Sequence, residues 1–262
     1  MRVHVVSDVH GNAEALARAG DGADALVVLG DLIDFVDYHD HGGGILGSVF
    51  GAAKVAEFAK LRRERPAELP AFARALWGSL GADPSTFVEE AVREQYTRLF
   101  AALPAPTYAT PGNVDVPDLW PEFAGDGVHV LDGEVAEIGG LRFGFVGGAL
   151  LPPGIAPRRA GVFRPYLRTE DDFAAGVARL SDVDVVCTHA PPDVPDLTYD
   201  VVAHRPELGS AALLDLIVKQ QPRWAVFGHV HQPLAARTRV GHTECANVGH
   251  FQRTGRPYVL RW

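Results

Sequence analysis

Short runs of apolar residues, each giving way to a residue that binds metals, restrict the fold more than any other feature of this 262-residue chain. Residues 3–6, 25–29, 183–187 and 224–227 are mostly apolar and only four or five residues long, which suits a buried strand and not a helix. Asp8, Asp31, His189 and His229 follow them. A helix over about 12–19 separates the first two runs, a βαβ start that predicts a parallel sheet. Open α/β sheets place their ligands beyond the carboxyl ends of the strands, so these Asp and His residues are expected at a site.

The richest stretch is Gly228-His229-Val230-His231. Two imidazoles one residue apart at a strand end point in opposite directions, which suits two neighbouring ions. Asp8-Val9-His10, Gly30-Asp31-Leu32-Ile33-Asp34, Gly112-Asn113-Val114-Asp115 and Thr188-His189 extend the set. Together they offer Asp8, His10, Asp31, Asn113, His189, His229 and His231, nitrogen and oxygen donors without a thiolate. Such donors suit Mn, Fe, Zn or Co better than Ca. They are too many for one ion of roughly four to six ligands and about right for two that share a carboxylate. Two ions a few ångströms apart can clamp a phosphoryl group and generate hydroxide near neutral pH.

In this order, Asp-x-His, Gly-Asp-x-x-Asp, Gly-Asn-x-Asp, His and Gly-His-x-His, the motifs resemble those of the calcineurin-like metallophosphoesterase superfamily, over most of the chain between Asp8 and His231. The resemblance implies an α/β fold of two packed mixed β-sheets flanked by helices in four layers. It also implies a dinuclear metal-dependent phosphoesterase in which a metal-bridging hydroxide attacks phosphorus in line. Asp8, His10 and His231 would hold the first ion, Asn113, His189 and His229 the second, and Asp31 would bridge them. Asp31, Asn113 and His229 are therefore the expected catalytic residues. The two divalent ions would be Mn, Fe or Zn, with Mn the first choice in vitro. Asp34 and Asp115 are expected to orient ligands and not to be ligands.

One position departs from the pattern. Many members carry a histidine after the asparagine, where this chain has Val114, which can neither donate a proton nor hydrogen-bond a phosphate oxygen. The departure resembles small bacterial phosphodiesterases, so the expected substrate is a small phosphodiester, a nucleotide among the candidates. A phosphomonoesterase or nucleotide pyrophosphatase is the alternative within the fold. A scaffold or interaction protein is the weaker reading, because a scaffold is free to lose metal ligands and none is missing here.

His39, His41 and His204 are, in that order, the candidates for the proton that Val114 cannot give, each weighed against an ordinary solvated histidine. Asn12 is either a helix cap or a substrate contact, with capping preferred. Arg158 and Arg159, with Arg164 and Arg168, form the one locally basic stretch, and the planar arginine fork suits phosphate. A solvated loop paired with acids is weighed equally there. His250, in Asn247-Val248-Gly249-His250, is read as incidental, although family members often bring a C-terminal loop near the metals.

Residues from about 38 to 103 read as a helical insertion within a single domain of residues 1–262. Helices are predicted over 52–64 and 69–80. Asp83 caps a third with Pro84 at its first position, and Phe87, Val88, Val92, Tyr96, Leu99 and Phe100 form its apolar stripe. The preceding stretch, 38–44, reads as a flexible loop. After Asn113, strands are predicted over 128–131, 135–138 and 141–146, helices from Thr169 and over 209–221, and closing strands over 237–262.

Acidic residues outnumber basic ones by 33 to 24, for a net charge of −9, which opposes general binding to nucleic acid or anionic membrane. Cys187 and Cys245 have no Cys-x-x-Cys spacing and read as reduced, buried thiols. A strand starts at once with Arg2, leaving no room for a signal peptide, and no apolar run nears membrane-spanning length. A soluble, cytoplasmic protein is expected.

Overall fold

The computed structural model of the chain describes residues 1–81, 83–157 and 161–262. It opens with β1 (Arg2–Val6), α1 (Ala13–Leu16) and β2 (Ala25–Val28), followed by the helices α2 (Gly44–Phe50), α3 (Ala52–Glu64), α4 (Leu69–Gly78) and α5 (Pro84–Ala101). Next come β3 (Thr107–Ala109), α6 (Trp120–Phe123), β4 (Val128–Val130), β5 (Glu134–Ile138), β6 (Leu141–Val146), β7 (Ala149–Leu150) and β8 (Leu167–Arg168). Then follow α7 (Glu170–Val177), β9 (Val185–Thr188), α8 (Pro195–Thr198), β10 (Tyr199–Asp200), β11 (Arg205–Pro206), α9 (Ala211–Gln220) and β12 (Trp224–Phe227). The chain closes with β13 (Arg237–Val240), β14 (Thr243–Asn247), α10 (Phe251–Thr254) and β15 (Tyr258–Arg261).

Two large mixed sheets result, along with the two-stranded pairs β7-β8 and β10-β11. The first has the order β15-β1-β2-β3-β4, parallel except for β15. The second has the order β13-β14-β12-β9-β6-β5, with a parallel centre and antiparallel edges.

Alternation along the strands explains why the sheets stack. Val3, Val5 and Val27 of the first sheet meet Phe143, Phe145, Val185, Cys187 and Val226 of the second in a core between them. The intervening Val6, Leu26 and Val28 face outward and pack with Val88, Val92, Tyr96 and Leu99 of α5. On the other side, Val186, Ala225 and Phe227 pack with Phe173 and Val177 of α7 and Leu213, Leu216 and Ile217 of α9. The layers are helix, sheet, sheet, helix. Each fully buried Val, Leu or Phe contributes roughly 1.5–3 kcal/mol, and a one-residue slip would swap the two faces of a strand, so the pattern sets the register.

The expected caps form. The Asp83 side chain accepts the Ser85 amide at the start of α5, and Thr169 accepts that of Asp172 at the start of α7. Phe87 corrects the predicted stripe: it is 40% exposed, because the buried positions Val88, Val92 and Tyr96 recur every four residues and leave it on the flank. Helix α4 ends at Gly78, short of residue 80, and the expected loop ends where α2 begins at Gly44. The tail is not all strand, since α10 interrupts it. Cys187 and Cys245 are free and buried. Among the described residues no helix is long and apolar enough to cross a membrane.

Candidate metal centre

Five parallel strands end at the same place and deliver the predicted donors. Asp8 and His10 follow β1, Asp31 follows β2 and Asn113 follows β3 in the first sheet. His189 follows β9, and His229 and His231 follow β12, in the second. The first sheet thus supplies every oxygen donor and one imidazole, and the second supplies only imidazoles.

Bringing these loops together requires glycine at the closest approaches. A Cβ on Gly30 would lie 2.0 Å from the Gly112 nitrogen, and one on Gly228 would lie 1.8 Å from Ser7 Oγ. The loops are also bent into left-handed backbone, with φ of 58° at Asp8, 41° at His10, 52° at Asp31 and 69° at His229. Such values are uncommon outside glycine, and their concentration here marks loops held in place by their surroundings.

In one half of the centre, Asn113 Oδ1 lies 2.9 Å from His189 Nε2 and 2.7 Å from His229 Nδ1, and Asp31 Oδ2 lies 3.5 Å from His189 Nε2. The other His189 nitrogen, Nδ1, donates to the Leu29 carbonyl at 2.7 Å. A neutral His189 therefore presents a lone pair at Nε2, facing an amide oxygen and a carboxylate that are themselves acceptors. In the other half, Asp8 Oδ1 lies 3.2 Å from His231 Nε2 and 3.9 Å from His10 Nε2, and those two nitrogens are 3.2 Å apart. Asp8 Oδ2 accepts the His229 amide at 3.1 Å, whereas Oδ1 is buried without a hydrogen-bond partner.

Two groups of nitrogen and oxygen donors thus converge in largely buried surroundings, and such a donor set suits divalent ions. Candidate ligand atoms of Asp8, Asp31 and His189, and separately of His10, His231 and His250, lie within 4.8 Å of one another. Burial would lower the His231 imidazole, but its contact with Asp8 raises it. Burial alone would raise the Asp8 carboxyl, but His231, with His189 and His10 behind it, holds it well below the usual carboxylate range. Burial, reinforced by His189, pushes His229 down to about 4, which keeps it neutral.

Around the donors, Asp31 Oδ1 accepts the Val114 amide at 2.9 Å, leaving Oδ2 between the halves. Asp115 accepts the amides of Leu32, at 3.0 Å, and Gly112, at 2.8 Å, and so ties the Asp31 loop to the Asn113 loop. Burial and the charge of Asp31 raise Asp115 to about 7. Asp34 lies against Gly44 at the start of α2 and is also raised to about 7, by burial and then by Asp37 and Asp40. The Val114 side chain is half-buried and joins Phe35 and Phe163 in packing on the outer core of the first sheet.

The remaining candidates spread out. Asn12 is a cap: its Oδ1 accepts the Ala15 amide at 3.0 Å, while Nδ2 donates to the Gln252 carbonyl at 2.9 Å. His39 is exposed at the rim, with its ring 5.8 Å from that of His250. The His41 backbone lies under α2 against Gly47, and His204 is exposed between β10 and β11. Arg168 donates to Asp132 Oδ1 at 3.1 Å and to the Asp172 carbonyl at 2.7 Å, a structural role. Arg158 and Arg159 lie outside the described residues.

His250 and Gln252 are what the sequence missed. His250 is 5% exposed and stacks on His231 with centroids 3.9 Å apart. Burial, then the charge of His231, pushes it to about 4. The available signal was its place just after a strand, the same position that holds the other donors.

The family model for calcineurin-like phosphoesterases matches residues 1–233. The fold is shared with solved structures, two of which are crystal structures. One is 17% identical with a TM-score of 0.58, covering 96% of this chain and 91% of that chain. The other, TT1561 of Thermus thermophilus, is 14% identical with a TM-score of 0.54, covering 99% of this chain and 98% of that one. No curated protein matches the chain.

Proposed function

We propose, from the premise that this chain belongs to the calcineurin-like phosphoesterase family, that it hydrolyses phosphodiesters at a pair of divalent ions. Membership makes it a metal-dependent phosphoesterase; the two-ion site and the diester preference are our reading. The observation that carries it is the meeting of two groups of lone pairs on either side of Asp31 Oδ2, 3.5 Å from His189 Nε2 and 3.9 Å from His10 Nε2. Asp8, His10 and His231 would hold one ion, Asn113, His189 and His229 the other, and Asp31 would serve both. Bound there, the ions supply Lewis acidity towards phosphoryl oxygens and lower the pKa of water.

The protein's own groups do the positioning. The Leu29 carbonyl holds His189 in the tautomer that leaves Nε2 free, and the Val114 amide anchors Asp31. The His229 amide, bound to Asp8, couples the two halves. Val114 offers neither a proton nor a hydrogen bond to a third phosphoryl oxygen. A monoester dianion would want such a donor, whereas a diester carries less charge and depends on it less. His39, at the rim, is the candidate proton donor to a departing alkoxide.

The test is hydrolysis of bis-p-nitrophenyl phosphate and p-nitrophenyl phosphate after metal stripping and Mn addition. We expect diester turnover to exceed monoester turnover at least about tenfold. Equal or greater monoester turnover would overturn the diester preference, and no turnover with metal bound would favour a binding role. Val114→His should raise turnover of substrates with poor leaving groups by about tenfold or more, with less effect on nitrophenyl esters.

A further inference from the structure

We propose that His250 is an additional ligand for the ion in the Asp8 half, a residue outside the five motifs, and this rests on the two-ion reading above. Strand β14 lies parallel to β12 in the second sheet, so its following loop emerges beside His229 and His231. There the His250 ring stacks on His231, with 23° between planes, and meets His10 edge-on with centroids 5.7 Å apart.

The hydrogen bonds assign its protons. Gln252 Nε2 faces the His10 carbonyl at 3.2 Å and Asp37 Oδ2 at 3.4 Å, and both can only accept. The amide orientation is thereby set, and Gln252 Oε1, 3.0 Å from His250 Nε2, must accept a proton from the imidazole. In a neutral ring that leaves a lone pair on Nδ1. Nδ1 is buried and has no hydrogen-bond partner, as is Asp8 Oδ1. A buried acceptor without a donor is costly, and a cation satisfies it. Candidate ligand atoms of His10, His231 and His250 lie within 4.8 Å of one another, close to twice a metal–nitrogen bond of roughly 2.1 Å. The one proton of His250 is engaged by Gln252, which argues for a ligand and against a proton donor.

The experiment titrates the metal-free full-length chain with Co²⁺, followed by visible absorption and calorimetry. Wild type should bind two ions. His250→Ala should bind one of them with unchanged affinity and the other at least about tenfold more weakly, with an altered spectrum for the weakened site. His250→Gln, which keeps bulk and polarity without an imidazole, should behave the same, and it decides the question if the alanine variant fails to fold. Two ions bound by both variants with wild-type affinity and spectrum would overturn the His250 assignment and leave the centre standing. A wild-type chain that binds no Co²⁺ would overturn both.

Discussion

The Asn113 half and the Asp8 half of the centre are built from similar donors and supported differently. His189 has no exposed side-chain surface and is pinned by a 2.7 Å bond to Leu29, and its partner Asp31 is anchored by the Val114 amide. The Asp8 half is more open: the His10 side chain is 12% exposed and that of His231 32%. His10 is held by a longer contact, 3.3 Å from Nδ1 to the Ile33 carbonyl. One half is a preformed cradle, and the other is a mouth bordered by His39, His250 and an acidic loop. Pre-organisation of a ligand raises its affinity, so like donors need not bind like ions equally well.

The comparison predicts three results of decreasing size. Asp31→Ala should remove the group common to both halves and lower turnover by more than about 100-fold, beyond the 10–100-fold typical of groups that only orient a ligand. Circular dichroism should show the fold retained; substantial residual turnover would mean that the halves do not share a carboxylate. Chelation should then separate the halves. During dialysis against a chelator, the metal content should pause near one ion per chain, with the Asp8 half emptied first and about tenfold faster. Loss of both ions in a single phase would erase the distinction.

The smallest effect concerns the acidic border. Asp34 is raised to about 7, chiefly by burial and then by Asp37 and Asp40. Between about pH 4 and 7 the folded chain holds a proton on Asp34 that the unfolded chain has lost. Stability contributed by that proton is full below pH 4, falls as pH rises through the window and is absent above 7. Asp34→Asn should therefore leave stability near pH 4 unchanged and raise it by roughly 1–3 kcal/mol at pH 8, measured by denaturant unfolding at both. An equal effect at both pH values would place the cause in packing instead of charge.

Much of the centre was legible because its signals are local. Asp8, Asp31, His189 and His229 follow strands whose alternation is written in consecutive residues, and Asp83 with Pro84 announced the start of α5 within a single turn. Shorter elements were not. Strand β3 is only Thr107–Ala109, too brief for a period to show, and α2 begins within a run of glycines that reads as loop. Phe87 was misplaced because an apolar residue beside a stripe looks the same in sequence as one within it.

By itself, then, the sequence determined the kinds of donor, their order and their attachment to strand ends, because each of these depends on neighbours a few residues away. Only the tertiary structure decided which lone pair faces which. The His189–Leu29 contact spans 160 residues, His229–Asn113 116 and His229–Asp8 221. His250 joins the centre because β14 happens to run parallel to β12. Sheet order and loop packing set those meetings, and they are properties of the whole core that no local pattern encodes.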